Sequence, residues 1–329
     1  MARLVECVPN FSEGRRGEVV DALADAVAAT PGVHLLDRTS DVDHNRSVLT
    51  FAGPSEPVME AMEAAVRVAL ARIDMEHHEG QHPRIGAVDV IPFVPLGETT
   101  MAECVEMART FGARLAGEFG LPVYLYAQAA TRPDRVVLAD LRRPQYEGLK
   151  ELIGQHGREP DFGPARLHPS GGAVAVGARP FLIAYNINLA ARDVDLAKRI
   201  AHRVRERSGG LARVQALGLD LEDLGCAQVS MNLLDFSVTP IWLVWETVRD
   251  LAAAEGVELR ESELIGLAPL ASLMAVADHL EIPPDLAVEA RIGAAADWLR
   301  IRDFEPTMAL ELRLAAAEAA DAAASTSGG

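Results

Sequence analysis

One histidine and one arginine stand close together in Glu79-Gly80-Gln81-His82-Pro83-Arg84-Ile85-Gly86, a Gly/Pro-punctuated loop that runs into the apolar stretch Ala87-Val88-Asp89-Val90-Ile91-Pro92. Imidazole titrates near neutral pH, so His82 can take a proton and return it within one turnover, as a general acid/base must. Arg84 offers a guanidinium to an anionic group. Pro83 fixes the local φ, so on an extended backbone the two side chains point to roughly the same side. A strand entrance is held by rigid neighbours, while the loop before it leaves room for a ligand.

A second polar turn, Asp41-Val42-Asp43-His44-Asn45-Arg46, separates two apolar stretches. Arg46 and Arg84 are candidates to bind substrate carboxylates, because a guanidinium holds a carboxylate through two parallel hydrogen bonds, and Asn45 can add a third bond. Asp37, Asp41 and Asp43 are candidates to orient His82 by accepting from one ring nitrogen; the sequence does not choose among them. Asn10 can bond a ligand or its own turn.

The elements that must position these residues follow from periodicity. The pattern predicts a strand over 3–9, a helix capped by Ser12 with Val19, Val20, Leu23, Ala26 and Val27 at helical spacing, strands over 33–36 and 47–52, an alanine-rich helix over 54–75 and a strand over 87–95. A helix over 101–118 and a strand over 122–127 come next. The stretch 131–177, rich in Arg, Pro and Gly, is the least regular, and Gly171 to Gly177 reads as a flexible edge of a ligand cleft. Strand, helix, strand, strand, helix, strand then recur over 181–189, 194–207, 212–219, 227–234, 240–255 and 257–267.

A βαββαβ order that appears twice predicts an α+β fold: two ferredoxin-like subdomains, each an antiparallel sheet with both helices on one face, the sheets facing a central cleft, plus C-terminal helices. The expected divisions are 1–178, 179–268 and 269–329, with 315–329 frayed.

The 329 residues are enough for two domains of about 150 residues. Cys7, Cys104 and Cys226 are far apart and lack a CxxC pair, which points to reduced, buried thiols. No apolar run approaches the ~20 residues that span a bilayer, so a soluble, cytoplasmic protein is expected. A net charge of -17 argues against nucleic acid or an anionic membrane as partner. His77, His78 and His82 with Glu76 and Glu79 suggest a metallohydrolase, but the pair lacks the i, i+4 spacing of a helical zinc site, and no metal is expected.

With these pieces in order, the chain resembles the formiminotransferase domain family, the glutamate formimidoyltransferases of histidine degradation. The likeness rests on Leu4-Val5-Glu6-Cys7-Val8-Pro9-Asn10-Phe11-Ser12-Glu13-Gly14, Asn45-Arg46, Gly80-Gln81-His82-Pro83-Arg84, Asp161-Phe162-Gly163-Pro164, Gly177-Ala178-Arg179, Phe181-Leu182-Ile183-Ala184-Tyr185-Asn186-Ile187-Asn188-Leu189 and Asn232-Leu233-Leu234-Asp235. The resemblance implies transfer of the formimino group of N-formimino-L-glutamate to N5 of tetrahydrofolate in a homodimer, with His82 as the acid/base. It places a folate-binding stretch on Gly163, Pro164, Ala165, Arg166, Leu167, His168, Pro169, Ser170, Gly171 and Gly172. Gly163, Pro164, Pro169, Ser170 and Gly172 match that stretch, whereas Ala165 to His168 differ from the animal form and Gly171 stands where that form has an aromatic residue. A second folate segment maps near Arg203, Arg205 and Glu206. Animal members carry a fused cyclodeaminase domain, and a separate enzyme is expected to supply that step here.

Both ligands of such a reaction are anionic, so the site must be locally cationic, and Arg132, Arg135, Arg142, Arg143, Lys150 and Arg166 can attract the glutamyl tail of folate. Phe11, Phe162 and Tyr185 are the candidate platforms for the pterin ring. The same histidine and groove would also serve 5-formyltetrahydrofolate, by cyclisation or formyl transfer. A non-catalytic folate-binding protein is the alternative from a different class; it would require an inert His82 loop.

Overall fold

The structure is a computed structural model that describes residues 2–327 and divides into two compact units, Met1–Arg179 and Pro180–Gly329. In the first unit, strands β1 (Arg3–Cys7) and β2 (Asn10–Phe11) occupy one column of a sheet, interrupted at Val8 and Pro9. Helix α1 (Gly17–Ala28) buries Val19, Val20, Leu23, Ala24 and Val27, one stripe at helical spacing. Strands β3 (His34–Asp41) and β4 (Arg46–Gly53) form an antiparallel hairpin whose tip is Val42 to Asn45. Helix α2 (Ser55–Arg72) and strand β5 (Val88–Gly97) follow.

The column order β3-β4-β1/β2-β5 is antiparallel throughout and is the ferredoxin-like arrangement. The unit then departs from the expected all-antiparallel sheet. Helix α3 (Met101–Phe119) is delimited by a reciprocal Thr100/Glu103 capping box and by Gly120 in the left-handed conformation. It leads to β6 (Val123–Ala127), and β7 (Val174–Ala178) inserts between β5 and β6, parallel to both. The stretch expected to be a flexible edge is thus a fully buried inner strand. It is covered on both faces, by α3 on one and by α4 (Leu138–Leu141) and α5 (Gln145–Leu152) on the other, and its small residues suit that position. A Cβ on Gly177 would lie 2.5 Å from the Tyr126 ring and carbonyl, so only glycine fits there.

Ser12 does not cap α1. The helix begins after Arg16 without a side-chain cap, and the buried Ser12 hydroxyl donates to the Gly86 carbonyl at 2.7 Å. That bond, with Ser12 N–H to the Ala87 carbonyl at 2.9 Å, ties the first-strand motif to the His82 loop.

In the second unit β8 (Ile183–Leu189), α6 (Val194–Val204), β9 (Val214–Leu221), β10 (Cys226–Leu233), α7 (Ile241–Ala253) and β11 (Leu259–Ile265) build a four-stranded antiparallel sheet of order β11-β8-β10-β9, again ferredoxin-like. Asp193 caps α6 by accepting from Leu196 N–H at 2.8 Å. Helices α8 (Leu270–His279) and α9 (Val288–Trp298) add Leu273, Val276, Ile292 and Ala295 to the core under this sheet. Helix α10 (Leu310–Ser327) continues through most of the tail expected to fray, as its run of alanines favours; Gly328 and Gly329 lie outside the described residues. Among the described residues no helix is long and apolar enough to cross a membrane.

Candidate active site

Three segments of the first unit meet around His82: the β3–β4 hairpin tip, the loop between α2 and β5, and the turn before β7. Their approach is close enough to exclude side chains. A Cβ on Gly80 would sit 2.3 Å from the His44 carbonyl, one on Gly14 2.3 Å from the Asp41 carbonyl, and one on Gly86 2.0 Å from the Ala173 carbonyl. Asn45, at φ +48°, pins the hairpin from within. Its Oδ1 accepts from Gly14 N–H at 3.0 Å, its Nδ2 donates to the Glu79 carbonyl at 2.8 Å, and its own carbonyl accepts from His78 Nε2 at 3.1 Å. Both ends of the amide are therefore engaged in holding the loops.

His82 is half-buried, and its Nε2 lies 2.8 Å from Nη1 of Arg46. Arginine can only donate, so Nε2 carries the lone pair and the ring holds its proton on Nδ1. Burial, then the charges of Arg46, Arg142 and His44, pull the ring's pKa down to about 3, and a hydrogen bond to Pro83, whose only hydrogen-bonding backbone group is its carbonyl, opposes them weakly. The ring is a neutral base at physiological pH. Of the aspartates expected to orient it, Asp41 serves His44 instead, accepting the ring at 2.8 Å and the backbone N–H at 2.7 Å. The His44 ring stands edge-on to His82, with centroids 6.1 Å apart.

Arg46 opens strand β4, and among the described residues no carboxylate lies within ion-pair distance of it. Burial and the charge of Arg142 push its pKa down, while Asp89 and Asp41 at longer range push it up. Arg142 is paired with Asp89, a carboxylate only 2 % exposed whose other oxygen accepts from Ile85 N–H at 2.9 Å. The sequence reading missed Asp89 as a functional residue. A lone aspartate in an otherwise apolar strand was the signal, since a buried carboxylate needs a cation.

Arg84 is committed elsewhere. Nε donates to His78 Nδ1 at 3.2 Å, Nη1 to Glu147 at 2.9 Å and Gln145 at 3.3 Å, and Nη2 to Glu147 at 2.6 Å and the His78 carbonyl at 3.2 Å. These bonds use every N–H of the guanidinium, in a residue 6 % exposed. Arg84 therefore clamps helix α5 to the His82 loop, and of the two arginines expected to meet a substrate carboxylate Arg46 is the one with no carboxylate partner among the described residues. Three side chains of the metal alternative face other partners: His77 bonds Asp74, His78 bonds Asn45 and Arg84, and Glu76 binds Tyr146 and Lys150.

The expected folate stretch lies against this site. Gly163, at φ +86°, passes so close to Leu121 that a Cβ would be 2.4 Å from its carbonyl. Pro164, Ala165, Arg166 and Leu167 lead to a tight loop in which His168 and Gly172 exchange backbone hydrogen bonds and Gly171 N–H donates to His168 Nδ1 at 2.9 Å. Pro169 is exposed, and the Ser170 carbonyl accepts from Met75 N–H at 2.8 Å. Gly171 and Gly172 pair with Ile85 to Ala87, immediately after His82-Pro83-Arg84. A side chain at 171 would first meet the Leu70 methyl at 2.3 Å and His168 Nδ1 at 3.0 Å, so it would require those side chains to move.

Arg203, Arg205 and Glu206 lie in the second unit, at the end of α6, where Arg205 bonds Ser208 at 2.7 Å. Most of the basic cluster is neutralised: Arg135 by Asp161, Arg132 by Asp134, Arg143 by Asp140, Lys150 by Glu76 and Arg142 by Asp89. Arg166 is exposed. Phe11 and Tyr185 are fully buried core residues and Phe162 packs beside Gly112, so Phe11 and Tyr185 offer no free face for a pterin. Asn10 bonds the Val8 carbonyl of its own turn at 3.3 Å.

A neutral histidine lone pair, beside a guanidinium with no carboxylate partner among the described residues and held by loops of a ferredoxin-like α+β unit, is an arrangement able to accept a proton next to a bound anion. The formiminotransferase domain's N-terminal subdomain matches residues 4–179, and the formiminotransferase domain matches 184–290. The chain is 48% identical over 278 residues to a glutamate formimidoyltransferase of Thermoplasma acidophilum, covering 84% of this chain and 91% of that one. It is 44% identical over 279 residues to a glutamate formimidoyltransferase of Streptococcus pyogenes, covering 85% and 93%. It is 47% identical over 280 residues to the formimidoyltransferase-cyclodeaminase of Rattus norvegicus, covering 83% of this chain and 52% of that protein, about half its length. The chain belongs to the formiminotransferase domain family.

Proposed function

We propose that the protein is a glutamate formimidoyltransferase that moves the formimino group of N-formimino-L-glutamate to N5 of tetrahydrofolate, giving 5-formiminotetrahydrofolate and L-glutamate. The observation that carries this reading is the neutral His82 ring, its lone pair turned to the unpaired Arg46, in a chain of this family. A protonated formimino group has an electrophilic carbon. N5 of tetrahydrofolate attacks it and must lose its proton as the tetrahedral adduct forms. His82 Nε2 accepts that proton, then returns it to the departing glutamate nitrogen, so one residue serves both halves and ends unchanged. Arg46 takes a carboxylate of the donor, which gives the anionic substrate a local cation in an acidic protein. Tetrahydrofolate is a co-substrate bound by the 163–172 stretch, whose pairing with Ile85 to Ala87 supports that assignment. The same reading includes a cytoplasmic homodimer, which light scattering of the purified protein checks.

The test is a folate-dependent assay with formiminoglutamate and tetrahydrofolate, following 5-formiminotetrahydrofolate, with His82→Ala beside wild type. Turnover by wild type and a fall of ~10²-fold or more in the variant are expected. Turnover equal in the two proteins would remove His82 from the chemistry, and no turnover by wild type would remove the reaction.

A further inference from the structure

We propose that Arg46 is a latch on the base: without substrate its guanidinium covers the Nε2 lone pair of His82, and an arriving substrate carboxylate draws the guanidinium away and frees the ring to accept a proton. This rests on the proposed function and adds a regulation to its site.

Three observations carry it. The Arg46 Nη1 to His82 Nε2 bond at 2.8 Å occupies the one atom the reaction needs, so the base as it stands is capped. Among the arginines around the site, Arg84 and Arg142 are paired with Glu147 and Asp89, whereas Arg46 has no carboxylate partner among the described residues and is the one that an anion can claim. Its backbone is fixed, because Arg46 follows the pinned Asn45 and its N–H and carbonyl pack on Gly14, so the side chain moves on a rigid anchor.

The exchange is favourable in direction. A guanidinium bonds a carboxylate through two charge-assisted hydrogen bonds but a neutral imidazole through one. One N–H···N bond is given up and N–H···O bonds form; no covalent bond changes. The charged groups around the ring are Arg46, Arg142 and His44, with Asp89 and Asp41 acting on Arg46. A carboxylate placed on Arg46 offsets a charge that now opposes protonation of the ring, so the base gains proton affinity only when its substrate is present.

The test is nitrogen NMR of full-length protein with ring-labelled histidine, the His82 signals assigned by their loss in His82→Gln. The probe is L-glutamate, which carries the two carboxylates of the donor without its reacting group. Without glutamate, His82 should hold its proton on Nδ1 and titrate well below the usual range. Saturating glutamate should raise the midpoint by about one pH unit or more. In Arg46→Gln the midpoint should already be raised, and glutamate should move it less. Glutamate that binds, by calorimetry, without moving His82 overturns the latch and leaves the proposed function standing. Absence of glutamate binding overturns the latch, and the turnover assay then decides the proposed function on its own.

Discussion

Acidification probes His82 with no ligand present. Its folded pKa is about 3 against an ordinary 6.5. Below 6.5 the unfolded chain binds a proton that the folded ring refuses, so stability falls with pH from there and goes on falling until the folded pKa is approached. At about pH 5 the unscreened loss, about 1.4 kcal/mol per pH unit, amounts to about 2 kcal/mol, and solvent screening of a half-buried ring brings it to about 1 kcal/mol. Glutamine can still accept from Arg46 but does not titrate. His82→Gln should therefore lose about 1 kcal/mol less than wild type between pH 7 and pH 5. Urea unfolding followed by far-ultraviolet circular dichroism at pH 7, 6 and 5 measures the difference. All three tryptophans, Trp242, Trp245 and Trp298, lie in the second unit, so their fluorescence separates its transition from that of the first. His78 and His168, whose pKa values burial also lowers, contribute equally to both proteins and cancel. Parallel pH profiles for wild type and His82→Gln would refute the buried, neutral ring.

Other substitutions test the frame. Gly80→Ala forces a Cβ against the His44 carbonyl at 2.3 Å, and the displaced loop should lower kcat/KM ~10²-fold with a smaller effect on Tm; an unchanged kcat/KM would mean that the loop's position is not critical. Asp89→Ala leaves the partly buried Arg142 and the Ile85 N–H without their carboxylate and should cost ~2–3 kcal/mol in denaturant unfolding. Asp89→Leu combined with Arg142→Met should regain much of that stability while activity stays low, and a single variant as stable as wild type would show that the pair is not buried as described. Glu147→Gln should loosen α5, read as faster amide exchange over 138–152.

The ferredoxin-like cores were legible because their strands and helices carry periodic apolar positions, and α1 buries the stripe that spacing indicated except that Ala24 takes the place of Ala26. Strand β7 was not, since Ala173 to Ala178 offers small residues and a glycine in place of alternation, and only burial on both faces explains them as strand. The candidate base stood out by type and loop. Its partners did not: Arg84 and Arg46 look equivalent in sequence, and only the placement of Glu147, distant in the chain, decides which of them is already bound. Asp41 was equally a partner for His82 or His44 until the hairpin turn set the angle. Sequence supplies charged groups, whereas pairing among them is a tertiary property.

The short segment from Leu138 to Leu152 is joined to the site by two ion pairs of opposite sense, Arg142 to Asp89 and Glu147 to Arg84. It works as a two-point buckle, and its variation is constrained accordingly. A chain that shortened or replaced this stretch would strand a buried carboxylate and a buried guanidinium together, so an exchange of the segment succeeds only when both anchors are carried with it.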